Sequence, residues 1–166
     1  MDDESGPYPR AGVSEVIGFL EILDDESGKI DVYKLGKNID HQLEQLLSVL
    51  ETARIFGFVE YEAGDVFFTP KGKHFIQSSQ EERKKIIATT LPEIPVFREL
   101  LSFLTHNEEH AVSTEYLDQL ITRDLTAEEI QKIKNAVLHW GRFAELIWVD
   151  SDEQEIHLEE KEEEET

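Results

Sequence analysis

The sequence predicts a mainly helical α+β protein with small β-hairpins, arranged as two winged-helix-like domains in tandem. Three observations lead to this. Leu43, Leu46, Leu47, Leu50 and Ala53 recur at three- and four-residue spacing, so they share one helical face, and Gly57 follows where a helix stops in the left-handed conformation. Residues 58–61 and 66–69 read as strands around the turn Ala63-Gly64-Asp65. The order helix, helix, helix, hairpin then recurs in the second half of the chain.

In chain order, residues 1–11 read as a flexible lead-in. Ser14 is a helix cap, and Val13, Val16, Ile17, Leu20 and Leu23 form an apolar face that Phe19 and Ile22 widen. Ile30 fits a short edge strand against the later hairpin. Asp31 caps a short helix over 32–39, and Asp40 caps the long helix of the leucine face. Thr69-Pro70 reads as an N-cap followed by proline at the first helical position. Ser78-Ser79 breaks that helix, and a bridging helix to residue 91 presents Glu82, Arg83, Lys84 and Lys85 to solvent. The first domain therefore spans 12–91.

Leu91-Pro92-Glu93-Ile94-Pro95 marks a joint. Beyond it, Val96, Phe97, Leu100, Leu101 and Leu104 line a helix. Ser113 or Thr114 caps a short helix over 115–121. Thr126-Ala127-Glu128-Glu129 is a capping box that opens a helix to about Trp140, with Ile130, Ile133, Val137 and Trp140 on its buried face and Gly141 as its stop. Two strands, 144–149 and 155–158, close the second domain, 92–158. Residues 159–166, EEKEEEET, read as a disordered acidic tail.

The 166 residues carry 16 Lys and Arg against 37 Asp and Glu, a net charge of −21. Residues 1–30 contribute −6 and residues 150–166 contribute −9, so most of the charge sits at the two ends of the sequence. This is the wrong sign for a nucleic-acid binder. There are no cysteines, which excludes a disulfide framework and thiolate chemistry and fits a cytoplasmic location. No apolar run reaches the ~20 residues of a membrane span, and the start of the sequence shows no secretory signal.

Catalytic chemistry finds no support. Lys71-Gly72-Lys73 lacks the upstream glycine and the following Ser or Thr of a phosphate-binding loop. His106 and His110 stand four apart and could share a metal on a helix, but the polar run between them reads as a solvated loop and no third ligand is set by spacing. No metal and no cofactor is expected. For DNA, the first recognition helix carries Asp40, Glu44 and Glu51 against Arg54, whereas phosphate contacts need Lys and Arg. The second offers Lys132 and Lys134 as a recognition-helix surface. At the joint Trp140-Gly141-Arg142, Arg142 has two readings. One is structural, stacked on an aromatic or paired with Glu145; the other is an exposed anchor for a partner.

Residues 7–158 resemble a known family through VSEVIGFLE at 13–21, DVYKL at 31–35, Phe56-Gly57-Phe58, Phe68-Thr69-Pro70-Lys71-Gly72, Glu82-Arg83-Lys84 and, most specifically, WGRFAEL at 140–146. The chain looks like the C-terminal, AAA-associated domain of ATP-binding subunits of nitrate/sulfonate/taurine-type ABC transporters. Phe143 stands where that pattern has tyrosine, and no ATPase domain is in this sequence. The resemblance implies a non-catalytic accessory or regulatory interaction domain, with the transporter ATPase or a related protein as partner and no catalytic residues to carry over. A homodimer is the other partner arrangement. The alternatives are a winged-helix DNA-binding regulator and a small-molecule sensor that binds its ligand between the two halves.

Overall fold

The computed structural model describes residues 8–34, 43–121 and 124–160, with the side chains of 43 and 44 left out. The first half comprises α1 (Val13–Asp25), β1 (Lys29–Asp31), α2 (Leu43–Ile55), β2 (Val59–Glu62), β3 (Asp65–Phe68), α3 (Pro70–Gln77) and α4 (Gln80–Thr90). A 3-10 turn, Leu91–Glu93, leads to α5 (Pro95–His106), β4 (Ala111–Ser113), α6 (Tyr116–Leu120), α7 (Ala127–Phe143), β5 (Ile147–Asp150) and β6 (Glu155–Leu158). The molecule is mainly helical with two small antiparallel sheets, ordered β1-β3-β2 and β4-β6-β5.

Local chemistry explains many of the boundaries. Ala63 and Gly64 both take positive φ, 52° and 84°, as a two-residue hairpin turn between β2 and β3 requires. Thr69 caps α3 by accepting from the Gly72 amide at 3.0 Å, with Pro70 in the first turn. Gly72 is needed for another reason: a Cβ there would overlap the Phe58 carbonyl. Thr126 and Glu129 form the reciprocal capping box that opens α7. Asp31 Oδ1 accepts from the amides of Tyr33 and Lys34 at 2.8 and 3.2 Å, so the chain turns helical at 32–34. The remainder of that short helix and the Asp40 cap lie outside the described residues, as do 1–7 of the lead-in and 161–166 of the tail.

Several expectations need correction. Gly12, not Ser14, is the N-cap of α1, because the helix is entered two residues earlier. The lead-in docks from Tyr8 onward: Tyr8 and Ala11 are buried in the core. On α2 the buried face is Leu46, Val49, Leu50 and Ala53, whereas Leu47 is 51 % exposed. The face is rotated because α1 packs from the side of Val49. Arg83 is not simply solvated. Its Nε and Nη2 donate to the carbonyls of Phe75 and Ile76 at 3.1 and 2.6 Å, capping the C-terminal end of α3. Glu115 is the N-cap of α6, with no side-chain cap bond. The strand β4 was not expected. Only its register against β6, Val112 opposite Ile156, defines so short a segment.

The halves share one hydrophobic core. Phe56 at the end of α2 meets Trp140 of α7 edge-on at 4.4 Å and Phe97 of α5 at 6.5 Å, and Phe58 stacks on Phe75 at 4.5 Å. α1 packs against α2, α3 and α7, so it touches both halves.

Candidate functional site

The joint between α7 and β5 holds four of the residues singled out in the sequence, and the structure gives each a separate task. Trp140 is fully buried. Its Nε1 donates to the Ala11 carbonyl at 2.8 Å, so the ring fills the core while its polar edge is satisfied.

Gly141 does not stop the helix. α7 continues to Phe143, and Gly141 is a buried helical residue without positive φ. A Cβ at Gly141 would lie 2.7 and 2.8 Å from Cδ1 and Cγ1 of Ile147, so the glycine lets β5 close onto the helix. The stop is Glu145, at φ 58°. The Leu146 amide donates back to the Gly141 carbonyl at 3.1 Å, closing the helix end.

Arg142 is exposed, and Glu145 is not its partner. The Glu145 carboxylate accepts from Lys84 Nζ of α4 at 2.8 Å, a bond that holds the lysine pKa up. Arg142 has no ion pair or ring contact among the described residues; it lies beside Gln80 and Arg83 of α4, and the lysine of that helix has taken Glu145. The pairing with Glu145 and the aromatic stack expected of a structural arginine are both absent there. Lys134 is also committed: its Nζ bonds Asp118 of α6 at 3.2 Å. Lys132 is exposed. The recognition-helix surface expected of Lys132 and Lys134 thus keeps one of its two cations free, since α6 folds back against α7.

Two clefts flank Arg142 and His139. One, of about 730 Å³, runs between α1, α4 and α7 and includes Ile17, Arg83 and Phe143. The other, of about 320 Å³, lies between α7 and the β5–β6 hairpin over Leu138 and Val149. The first crosses the seam between the halves.

Elsewhere, shifted ionisation belongs to packing. Burial, with Glu51 nearby, pushes the Tyr61 hydroxyl up to about 12, against the opposing effect of Arg54, whose guanidinium lies 5.6 Å over the ring. Burial lowers the Lys71 pKa where its ammonium sits 5.6 Å over Phe58. His106 Nδ1 and His110 Nδ1 lie 2.7 and 2.9 Å from the carbonyls of Ser102 and Leu104. Among the described residues no three His, Asp or Glu side chains are grouped to hold a metal, and no helix is long and apolar enough to cross a membrane.

Sequence reasoning passed over Thr52. It is fully buried on α2, accepts from the amides of Arg10 and Ala11 at 3.1 Å each, and donates to the Ser48 carbonyl at 2.7 Å. The available signal was a threonine beside an apolar helix face, where burial demands partners.

No curated protein and no solved structure matches the chain. The family model for the C-terminal AAA-associated domain matches residues 33–150. That span includes α2, both hairpins' first strands and the whole α7–β5 joint, and it is more than half of the sequence. The chain therefore belongs to the family of C-terminal AAA-associated domains.

Proposed function

We propose that this domain is a non-catalytic accessory module that regulates, through protein contact, the ATP-binding subunit of an ABC transporter of the nitrate/sulfonate type, in the cytoplasm. The family match over residues 33–150 is the observation that carries this reading. The transporter class comes from the resemblance of the motifs at 13–21 and 140–146. Each half is read as a winged-helix unit in which α2 and α7 take the place of the recognition helix and the β2–β3 and β5–β6 hairpins that of the wing. Such units serve many purposes, so the site must supply the function. Arg142 is the side chain we assign to partner contact, because it is exposed and uncommitted while its neighbours are engaged.

The test is calorimetric titration of the purified domain with the transporter ATP-binding subunit. Arg142→Ala is expected to weaken binding about tenfold, the scale of a single interface hot spot, with the melting curve unchanged. Equal binding by the variant removes Arg142 from the interface, and no binding by the parent removes the accessory reading. A second reading, a small-molecule sensor, draws on the seam cleft of about 730 Å³ with Arg83 and Arg142 in its lining. DNA binding is disfavoured, because Lys134 is paired with Asp118 and Arg54 with Glu51.

A further inference from the structure

The segment ahead of α1 is held by both halves at once, and at equivalent positions. Thr52 and Trp140 occupy the same place in the repeat. The Thr52 carbonyl accepts from the Phe56 amide at 3.1 Å and the Trp140 carbonyl from the Ala144 amide at 3.0 Å, each one step before the residue of positive φ that ends its helix. Both side chains are fully buried, and both reach the same dipeptide. Thr52 Oγ1 receives the amides of Arg10 and Ala11, and Trp140 Nε1 donates to the carbonyl of Ala11. Tyr8 is buried and donates its hydroxyl to the Leu120 carbonyl at 3.3 Å, which ties the same segment to α6. Gly12 then passes so close to α7 that a Cβ would lie 2.9 Å from His139 Nδ1.

We propose that residues 8–12 form a releasable strap. Seated, it adds a polar tie between the ends of α2 and α7 beside the Phe56–Trp140 contact; drawn out, it leaves only apolar packing there, which lets the two halves shift against each other. A pull or a contact acting on chain ahead of Tyr8 is thereby felt by both halves. Three features make release distinct from unfolding. Residues 8–11 belong to no helix or sheet, and Gly12 joins α1 only as its N-cap, through the Val16 amide, so the strap's hold does not draw on a cooperative ladder. Thr52 keeps an acceptor, the Ser48 carbonyl, when the strap leaves, so its hydroxyl is not orphaned. Trp140 Nε1 and the Leu120 carbonyl lose the Ala11 and Tyr8 groups they bond, and both then face the space the strap vacates, where water can take the place of those partners. This mechanism deepens the accessory reading and rests on it only for the identity of what acts on the strap.

Amide hydrogen exchange on the full chain tests the proposal without any partner. The amides of Arg10 and Ala11 are expected to exchange about 100-fold slower than in a free chain, yet at least about tenfold faster than amides within α2 and α7, the signature of a local opening. Thr52→Val keeps shape while deleting the hydroxyl, and Trp140→Phe keeps an aromatic ring in the core while deleting the N–H and part of the indole's volume. Each is expected to speed exchange at Arg10 and Ala11 about tenfold relative to α2 amides, a ratio that cancels any general loss of stability. In the double variant, nitroxide labels at the exposed positions Glu60 and Glu153 should report a broadened distance distribution between the hairpins. Free-chain exchange rates in the parent, exchange only together with α2, unchanged ratios in both variants, or an unchanged distance distribution would each overturn the strap. None of those outcomes touches binding of the ATP-binding subunit, and loss of that binding leaves these readouts intact.

Discussion

α2 and α7 enter their hairpins through the same hydrogen bonds but with different residues. At the first joint the Phe58 amide donates to the Ala53 carbonyl at 3.0 Å; at the second, Leu146 donates to Gly141 at 3.1 Å. The left-handed residue is Gly57 at φ 80° in one and Glu145 at φ 58° in the other. The glycine of the second joint has moved inside the helix. There it faces Ile147, the first residue of β5, whose counterpart in β2 is Val59. Alanine with valine in one half and glycine with isoleucine in the other amount to one methyl group passed from helix to strand. The backbone solution is shared, and side-chain volume is distributed by what packs on each end.

The largest expected break in this comparison is Trp140→Ala. It opens a cavity beside Phe56 and orphans the Ala11 carbonyl, and should cost about 3–5 kcal/mol in denaturant unfolding. Thr52→Ala at the equivalent position removes far less volume and should cost less.

Gly141→Val should destabilise by about 1–3 kcal/mol through overpacking against Ile147, with no contribution from backbone strain. The methyl trade sharpens this into a cycle. Gly141→Ala combined with Ile147→Val rebuilds the first joint, and the pair should couple favourably by about 0.5 kcal/mol or more. Strict additivity in urea melts would show that the two joints do not pack alike.

The helix stops give a smaller asymmetry. Gly57→Ala forces a side chain into the left-handed region and should cost about 1–2 kcal/mol. Glu145→Gly relieves that strain but loses the exposed Lys84 bridge and adds unfolded-state freedom, so it should change stability by less than about 1 kcal/mol. Thermal unfolding of the two variants side by side measures the difference.

The last effect is a pH dependence confined to the first hairpin, weakened by solvent screening because Tyr61 is 38 % exposed. The Tyr61 pKa is about 12 in the folded chain against 10.0 ordinarily, so the native state holds this proton more tightly. The associated stability is present below pH 10 and falls as pH rises from about 10 to 12, where the unfolded state loses the proton first. Tyr61→Phe should flatten that part of the stability profile, and absorbance titration of the phenol should show one tyrosine with a midpoint near 12.

What the sequence by itself determined was set by neighbours along the chain. The Thr126 capping box, Thr69-Pro70, the Ala63-Gly64 turn, Gly57 as a helix stop and the apolar faces of α1, α5 and α7 all follow from spacings of a few residues, so residue type alone specifies them. The tertiary structure decided everything that depends on a distant partner. Gly141 is misread as a stop until Ile147 is seen against it, because a glycine near a helix end suits either role. Leu47 joins the apolar face by count and leaves it once α1 has chosen its side of α2. Arg142 and Glu145 look like a pair until Lys84 arrives from α4. Tyr8 and Ala11 carry no local signal of their task, and Thr52 signals only a need for partners, since the bonds that define the task join the lead segment to helices far along the chain, and only packing brings those groups within reach.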